Sequence, residues 1–182
     1  LVGYLWTSIA GYSEIALRTP SLLAGLLTVY FVIKIGRLIG GNRLGLIAGI
    51  LTATNPLLIY YSQEGRTYAL TTFLVTASMY FFCQLIKNKK SPKSSVVYYL
   101  VFTSLFVWSS YLSWYLLATL FIYTLWIKRY DIAKLQVISA LTLVFWLPSF
   151  LISLGIGNAT RNFSPEWGNV VGGLSWISIP LT

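Results

Sequence analysis

The feature that most constrains the fold is a run of 32 residues, 96–127, that contains no charged side chain. A helix needs about 20 mostly apolar residues to cross a membrane, so this run is too long for one crossing and short for two. A polar group, SSYLS at 109–113, lies at its middle. We therefore predict two short membrane helices that meet there in a tight hairpin.

The rest of the chain has the same apolar character. Hydrophobic residues make up 57% of it and charged residues 9%, whereas a soluble domain carries about 25% charged residues. With a mean hydropathy of +0.74, the chain is predicted to be an all-α, polytopic transmembrane helical bundle. Further membrane passes are predicted at four segments: 19–37, 44–61, 67–86 and 135–154. These bring the number of passes to six, all within one membrane domain, 20–155.

The two flanks of this domain are predicted to lie outside the membrane. Residues 1–19 should form an interfacial helix and a loop, and residues 156–182 a loop and a second interfacial helix, both on the external side. The sequence starts at Leu1 inside an apolar stretch and without a methionine. We therefore expect it to be an internal part of a longer protein.

Proline and threonine positions predict where the helices start and bend. Thr19 followed by Pro20 is typical of an N-cap and a first helical residue, and so predicts the start of the first pass. Asn55 with Pro56 should kink the second pass near its far end, and Pro148 the last one. Glycines at 45 and 49, four residues apart, predict close contact between helices.

The distribution of charge predicts the orientation. Ten of the 13 lysines and arginines fall in alternate connections: Lys34, Arg37, Arg43, Lys87, Lys89, Lys90, Lys93, Lys128, Arg129 and Lys134. The positive-inside rule makes that side cytoplasmic. The other side has only Arg18, Arg66 and Arg161 as cations. The basic residues are too scattered to form a nucleic-acid groove, so no nucleic-acid partner is expected.

Several kinds of chemistry are excluded by composition. The chain has no histidine, and its one cysteine, Cys83, lies in an apolar run where a packing role is expected. Disulfides, imidazole catalysis and histidine-bound metals therefore do not apply to it. The acids present do not predict a metal site either.

Arg18 and Arg66 are the candidate functional residues. Each precedes a pass that starts on the external face, where the positive end of a helix favours an anion. Arginine can bind two phosphate oxygens at once, so the expected ligand is an anionic head group. The simpler interpretation is that both are interfacial anchors paired with Glu14 or Glu64. The tyrosines nearby likewise fit an aromatic belt first, and a surface for an isoprenoid or a sugar second: Tyr60, Tyr61 and Tyr68.

The segment at 62–68, SQEGRTY, resembles a motif of bacterial GT-C class glycosyltransferases, the relatives of protein O-mannosyltransferases and of the aminoarabinose transferase that modifies lipid A. A second segment, SEIALRTPS at 13–21, resembles another motif of the same proteins at the appropriate distance upstream. A weaker third feature is WLP at 146–148. The resemblance covers residues 1–148. The departures are Gly65, where alanine is usual, and Ser113, near a position where many relatives carry histidine.

The resemblance implies transfer of a sugar from a polyprenyl-phosphate carrier to a protein, lipid or glycan acceptor. The reaction would take place at the external face of the plasma membrane, among the membrane lipids. Arg18 and Arg66 would hold the carrier phosphate, with four further residues in supporting roles: Glu64, Gln63, Tyr61 and Tyr68. The catalytic base is expected upstream of Leu1, with Glu14 as a substitute candidate. No cofactor is identifiable in this sequence, and a divalent metal in the complete protein is compatible with the resemblance.

Two other functions fit the same residues. The first is a transporter or flippase for an anionic lipid or solute, with Arg18 and Arg66 at its gate. Against it, the passes contain no central ionisable residue of the kind that marks a transport pathway. The second is a membrane scaffold without catalytic activity, in which the polar turn is only an anchor.

Overall fold

The computed structural model describes residues 14–64, 68–88, 92–110, 112–142 and 144. Within these ranges the chain is helical, without strands, as predicted. The helices are α1 (Glu14–Ala53), α2 (Pro56–Gln63), α3 (Tyr68–Lys87), α4 (Lys93–Ser109), α5 (Leu112–Trp126) and α6 (Tyr130–Leu141). The chain divides into two compact units, 1–141 and 142–182, and nearly all of the described structure belongs to the first. The predicted interfacial helices, Arg161 and the kink at Pro148 lie outside the described residues.

Two of the described segments, Arg18–Ala53 and Tyr68–Lys87, have the length and hydropathy of membrane-crossing helices. The apolar helix α5 is shorter, with 15 residues. Two such segments agree with a membrane location, whereas six passes stay a prediction.

Helix α1 is two helical arms joined by a glycine turn. Gly40 and Gly41 leave the helical conformation, and Gly41 has a φ of 81°, which a residue with a side chain rarely adopts. The arms, residues 14–39 and 42–53, fold back on each other with almost no space between them. A Cβ added to Gly45 would lie 2.7 Å from the Ile33 carbonyl oxygen. The close contact predicted at glycines 45 and 49 is therefore confirmed.

The division predicted in the uncharged run is confirmed as a break between two helices, whereas two membrane passes there stay a prediction. Helix α4 ends at Ser109 and α5 begins at Leu112. Three buried side-chain hydrogen bonds join α3, α4, α5 and α6. The Ser78 and Thr103 hydroxyl oxygens are 2.8 Å apart, and Gln136 connects α6 to both α4 and α5.

Two predicted helix starts are wrong. Helix α1 begins at Glu14, so Thr19 is not an N-cap and Pro20 lies inside the helix. The reason is that residues 14–18 are mostly good helix formers, so the helix extends through Pro20 although this proline, its seventh residue, cannot donate a hydrogen bond to the preceding turn. Helix α6 begins at Tyr130 and not at 135, with Asp131 in its first turn, where the helix dipole favours an acid.

Basic side chains fasten the helix ends at the predicted cytoplasmic end. Lys87 donates to the Leu38 carbonyl oxygen (2.7 Å) at the end of the first arm of α1. Arg129 donates to the Leu85 and Ile86 carbonyl oxygens (2.8 and 3.2 Å) at the end of α3. Carbonyls at a helix C-terminus have no partner within the helix, so these contacts satisfy them. The end of α3 is thereby fixed to the α5–α6 turn.

We expect Gly45→Ala to lower the free energy of unfolding of the membrane-embedded protein by about 1–3 kcal/mol, because the added methyl group must push the α1 arms apart. The measurement is the Tm in detergent or nanodiscs. Ala118→Val, at an exposed position on α5, is the matched control and should leave the Tm nearly unchanged. An unaltered Tm for Gly45→Ala would contradict the close approach.

The ion pair that holds Arg129 in place should make stability depend on pH in the acid range. A hydrogen bond from Arg129 is the main cause that keeps the pKa of the Asp131 carboxyl below its ordinary 3.8. A lowered pKa means that the pair stabilises the fold above pH 3.8, and that this contribution is lost as pH falls through the lowered value. Asp131 is 61% exposed, so the effect should stay below about 1 kcal/mol. At neutral pH the Tm of wild type should exceed that of Asp131→Asn, and the two Tm values should converge in acid. A Tm difference that does not change with pH would exclude the ion pair as its origin.

Candidate functional site

The motif at 62–68 begins on the last residues of the short helix α2 and ends at Tyr68, the first residue of α3; α2 itself starts where the helical hydrogen-bond pattern is interrupted. Asn55 Oδ1 accepts hydrogen bonds from the Leu57 and Leu58 N–H groups (2.9 and 3.2 Å), and Pro56 is the first helical residue. Both features are typical of a helix start. The kink predicted at Asn55 and Pro56 is thus a complete interruption between α1 and α2.

Helix α2 packs against the first arm of α1. A Cβ added to Gly25 would lie 3.0 Å from the Ser62 Cβ. The helix ends at Gln63, and the Glu64 N–H donates to the Tyr60 carbonyl oxygen (3.2 Å). These contacts fix the position along the first arm of α1 at which the motif begins.

Arg18 lies at the same end of the molecule as the motif. The Phe31 ring of α1 lies between those of Phe73 and Phe81 of α3, with centroids 5.9 and 6.2 Å away, and farther along both helices Lys87 contacts Leu38. The first arm of α1 and α3 therefore run parallel. Phe31 is therefore level with about residue 77 of α3. Nine residues separate that level from Tyr68, the first residue of α3, and the same distance along the first arm of α1 reaches position 22. At 1.5 Å per residue, Arg18 lies roughly 6 Å beyond the start of α3, at the end of the bundle where the motif lies.

The tyrosines of the motif form an aromatic cluster. The Tyr61 ring lies 5.5 Å from Tyr60 and 5.0 Å from Tyr68, measured between centroids. Tyr60 and Tyr68 are each at least half exposed, and the Tyr60 hydroxyl donates a long hydrogen bond (3.4 Å) to Glu64 Oε1. The Gln63 side chain is exposed and Glu64 is half-buried. The structure therefore brings Tyr61, Tyr68 and Glu64 together around Tyr60, whereas their role in a site stays a prediction.

The structure describes the side chain of Arg18, only the backbone of Glu14, and nothing of Arg66. Arg18 is an exposed residue of α1. Glu14 is the first residue of α1, but its side chain lies outside the described part. Arg66 lies outside the described residues, between Glu64 and the start of α3 at Tyr68. A joint phosphate site made by the two arginines stays a prediction.

Sequence reasoning missed a cavity of about 460 Å³ below the motif. Its walls come from both arms of α1, from α2 and from α3. The lining residues are Thr28, Val32, Leu51, Thr52, Asn55, Leu57, Leu58, Tyr61, Thr72 and Thr76. Six of these ten side chains can form hydrogen bonds, and none is charged. The available signal was the spacing of Thr72 and Thr76, which puts two hydroxyls on one face of an apolar helix.

Among the side chains that the structure describes, no three histidine, cysteine, aspartate or glutamate residues lie close enough together to hold a metal ion.

We expect Asn55→Ala to destabilise α2 by about 1 kcal/mol, since two backbone N–H groups lose their acceptor. Asn55→Asp keeps the acceptor oxygen and is the matched control. Protease accessibility around residue 64 should increase in Asn55→Ala and stay at the wild-type level in Asn55→Asp. Equal accessibility in the two variants would mean that the cap does not hold the motif.

Comparison with known proteins gives a family match. The model of a family described as dolichyl-phosphate-mannose-protein mannosyltransferase matches residues 2–154, more than four-fifths of the chain. No curated protein and no solved structure matches it.

Proposed function

The chain belongs to the dolichyl-phosphate-mannose-protein mannosyltransferase family, and from this membership and its site we propose how it acts as a membrane glycosyltransferase. The sugar comes from a polyprenyl-phosphate carrier and goes to a protein, lipid or glycan acceptor. Transfer takes place at the external face of the plasma membrane, in a bundle of six passes.

The observation that carries the proposal is the separation of charge between the two ends of the bundle. Arg18 and the motif lie at one end, whereas Lys87 and Arg129 fasten helix ends at the other. The positive-inside rule assigns the lysine-rich end to the cytoplasm, so the motif end faces outward. Arginines that are not needed to set the orientation are then available for a ligand.

Arg18 and Arg66 act electrostatically in this proposal. As the bond between the sugar and the carrier phosphate breaks, negative charge develops on the phosphate oxygens. Arg18 and Arg66 stabilise that charge, and Glu64 orients Arg66. Gln63, Tyr61 and Tyr68 support the site from α2 and α3. A carboxylate takes the proton of the acceptor; Glu14 is the candidate within this chain, besides one upstream of Leu1.

We expect Arg18→Gln and Arg66→Gln each to lower kcat/KM for sugar transfer about 100-fold, the scale of losing one group that stabilises developing charge. The assay is transfer from a polyprenyl-phosphate sugar by the complete protein in liposomes. Arg37→Gln, at the opposite end of the same arm of α1, is the matched control and should keep the wild-type rate.

If Arg18→Gln and Arg66→Gln both kept the wild-type rate, neither arginine would belong to the proposed phosphate site. The interrupted helix at Asn55 is also typical of transporters. Movement of the carrier lipid across proteoliposomes without any sugar transfer would favour that function instead.

A further inference from the structure

The cavity below the motif combines apolar walls with six side chains that can form hydrogen bonds. Its four threonines all donate their hydroxyl hydrogen within their own helix. The bonds run from Thr28 to Ala24, from Thr52 to Ala48, from Thr72 to Tyr68 and from Thr76 to Thr72, over 2.7–2.9 Å. With that hydrogen used, each oxygen has only lone pairs left for a ligand. These hydroxyls can therefore accept hydrogen bonds from an occupant.

Two other lining residues offer donors. The Asn55 side-chain oxygen is occupied by the cap of α2, which leaves the amide NH₂ as a donor. The Tyr61 hydroxyl can both donate and accept. The cavity thus combines several acceptors with a few donors and no charge.

This combination selects among the possible occupants. A phosphate requires donors or cations, whereas the polar groups of the walls are mainly acceptors and none of the lining residues is a cation. A hydrocarbon chain would leave each hydroxyl oxygen that it covers without a partner, which costs up to roughly 1–3 kcal/mol for each one. A sugar ring matches best, since each of its hydroxyl groups donates and accepts.

The helix interruption supports a hydrated cavity. Pro56 has no N–H, so the helical hydrogen-bond pattern stops at this point. Irregular backbone at membrane depth occurs where it is buried in protein or lines a water-filled space. Asn55, at the interruption, lines the cavity. Hydroxyl groups of a ligand can replace such water without loss of hydrogen bonds.

Position and size agree with this ligand. Tyr61 lines the cavity and lies one helical turn before Glu64, so the cavity opens next to the level proposed for the carrier phosphate. Its volume is within the range of about 300–1,000 Å³ that is usual for ligand sites. The rings of Tyr60 and Tyr68 extend the aromatic surface beside Tyr61.

We propose that the cavity between α1, α2 and α3 is a subsite for a neutral glycosyl group, which it recognises through the threonine hydroxyls and Asn55. The inference rests on the proposed function. The glycosyl group comes either from the donor lipid or from a glycan acceptor, and the chemistry of recognition is the same for both.

The test is ligand binding by the complete protein in nanodiscs, measured for wild type and for the double variant Thr72→Val/Thr76→Val. Valine keeps the shape of threonine and removes the acceptor oxygen. The probes are a polyprenyl phosphate, the same lipid carrying mannose, and methyl mannoside. Thr119→Val is the matched control, because its hydroxyl also bonds within its own helix (to Tyr115, 2.8 Å) but on an exposed face of α5.

We expect the double variant to bind the mannose-bearing lipid about tenfold more weakly and the bare polyprenyl phosphate as wild type does. That result assigns the subsite to the donor sugar. Weaker binding of methyl mannoside alone upholds the subsite and assigns it to the acceptor.

Unchanged binding of all three probes would overturn the proposal, as would an equal loss for the lipid with and without sugar. If wild type bound neither lipid but bound methyl mannoside through these threonines, the proposed function would fail and the glycosyl subsite would stand. Thr119→Val should match wild type throughout.

Discussion

Helices in a lipid bilayer gain little from the hydrophobic effect when they associate, because lipid is as apolar as their own surfaces. The contacts that hold this bundle are accordingly small residues and buried polar pairs. Gly36 and Gly45 bring the two arms of α1 almost into backbone contact. Farther along the chain, Gln136 accepts from Thr124 and donates to Tyr99, and so ties α6 to α5 and α4. Such bonds are worth about 0.6 kcal/mol each on average, so the arrangement depends on several of them together.

The two ends of the bundle are built from different kinds of contact. At one end, lysine and arginine side chains satisfy the terminal carbonyls of α1 and α3, and these contacts fix the lengths over which the helices run in register. At the other end, polar and aromatic residues are placed on a short helix that starts at an interruption. Helix α3 joins the two ends, because it is anchored by Arg129 at its C-terminus and contributes Tyr68 and the cavity threonines near its start.

Much of this arrangement could be predicted from the sequence. Hydropathy and turn residues predicted the helical class, the division between the passes at 19–37 and 44–61, and the helix break after Ser109. The start of α1 was mispredicted because Thr19 and Pro20 are a strong local signal, whereas the helix-forming residues before them decide the outcome. Arg129 was assigned only to topology, since no sequence pattern states that a side chain will reach carbonyls more than 40 residues away. The cavity could not be predicted either, because its walls come from three helices whose register follows from packing.

The two contacts of Arg129 with α3 also bear on how the chain is assembled during synthesis. The α1 hairpin needs only residues close in sequence, so it can close as soon as its second arm has emerged. The carbonyls at the end of α3, in contrast, wait for a side chain 43 and 44 residues later. Until the α5–α6 turn leaves the ribosome, α3 lacks this clamp, and its position beside α1 depends on packing and Lys87. The alignment of the helices along one another is therefore completed late. A chain truncated before Arg129 would contain the first three helices, but their alignment would be incomplete.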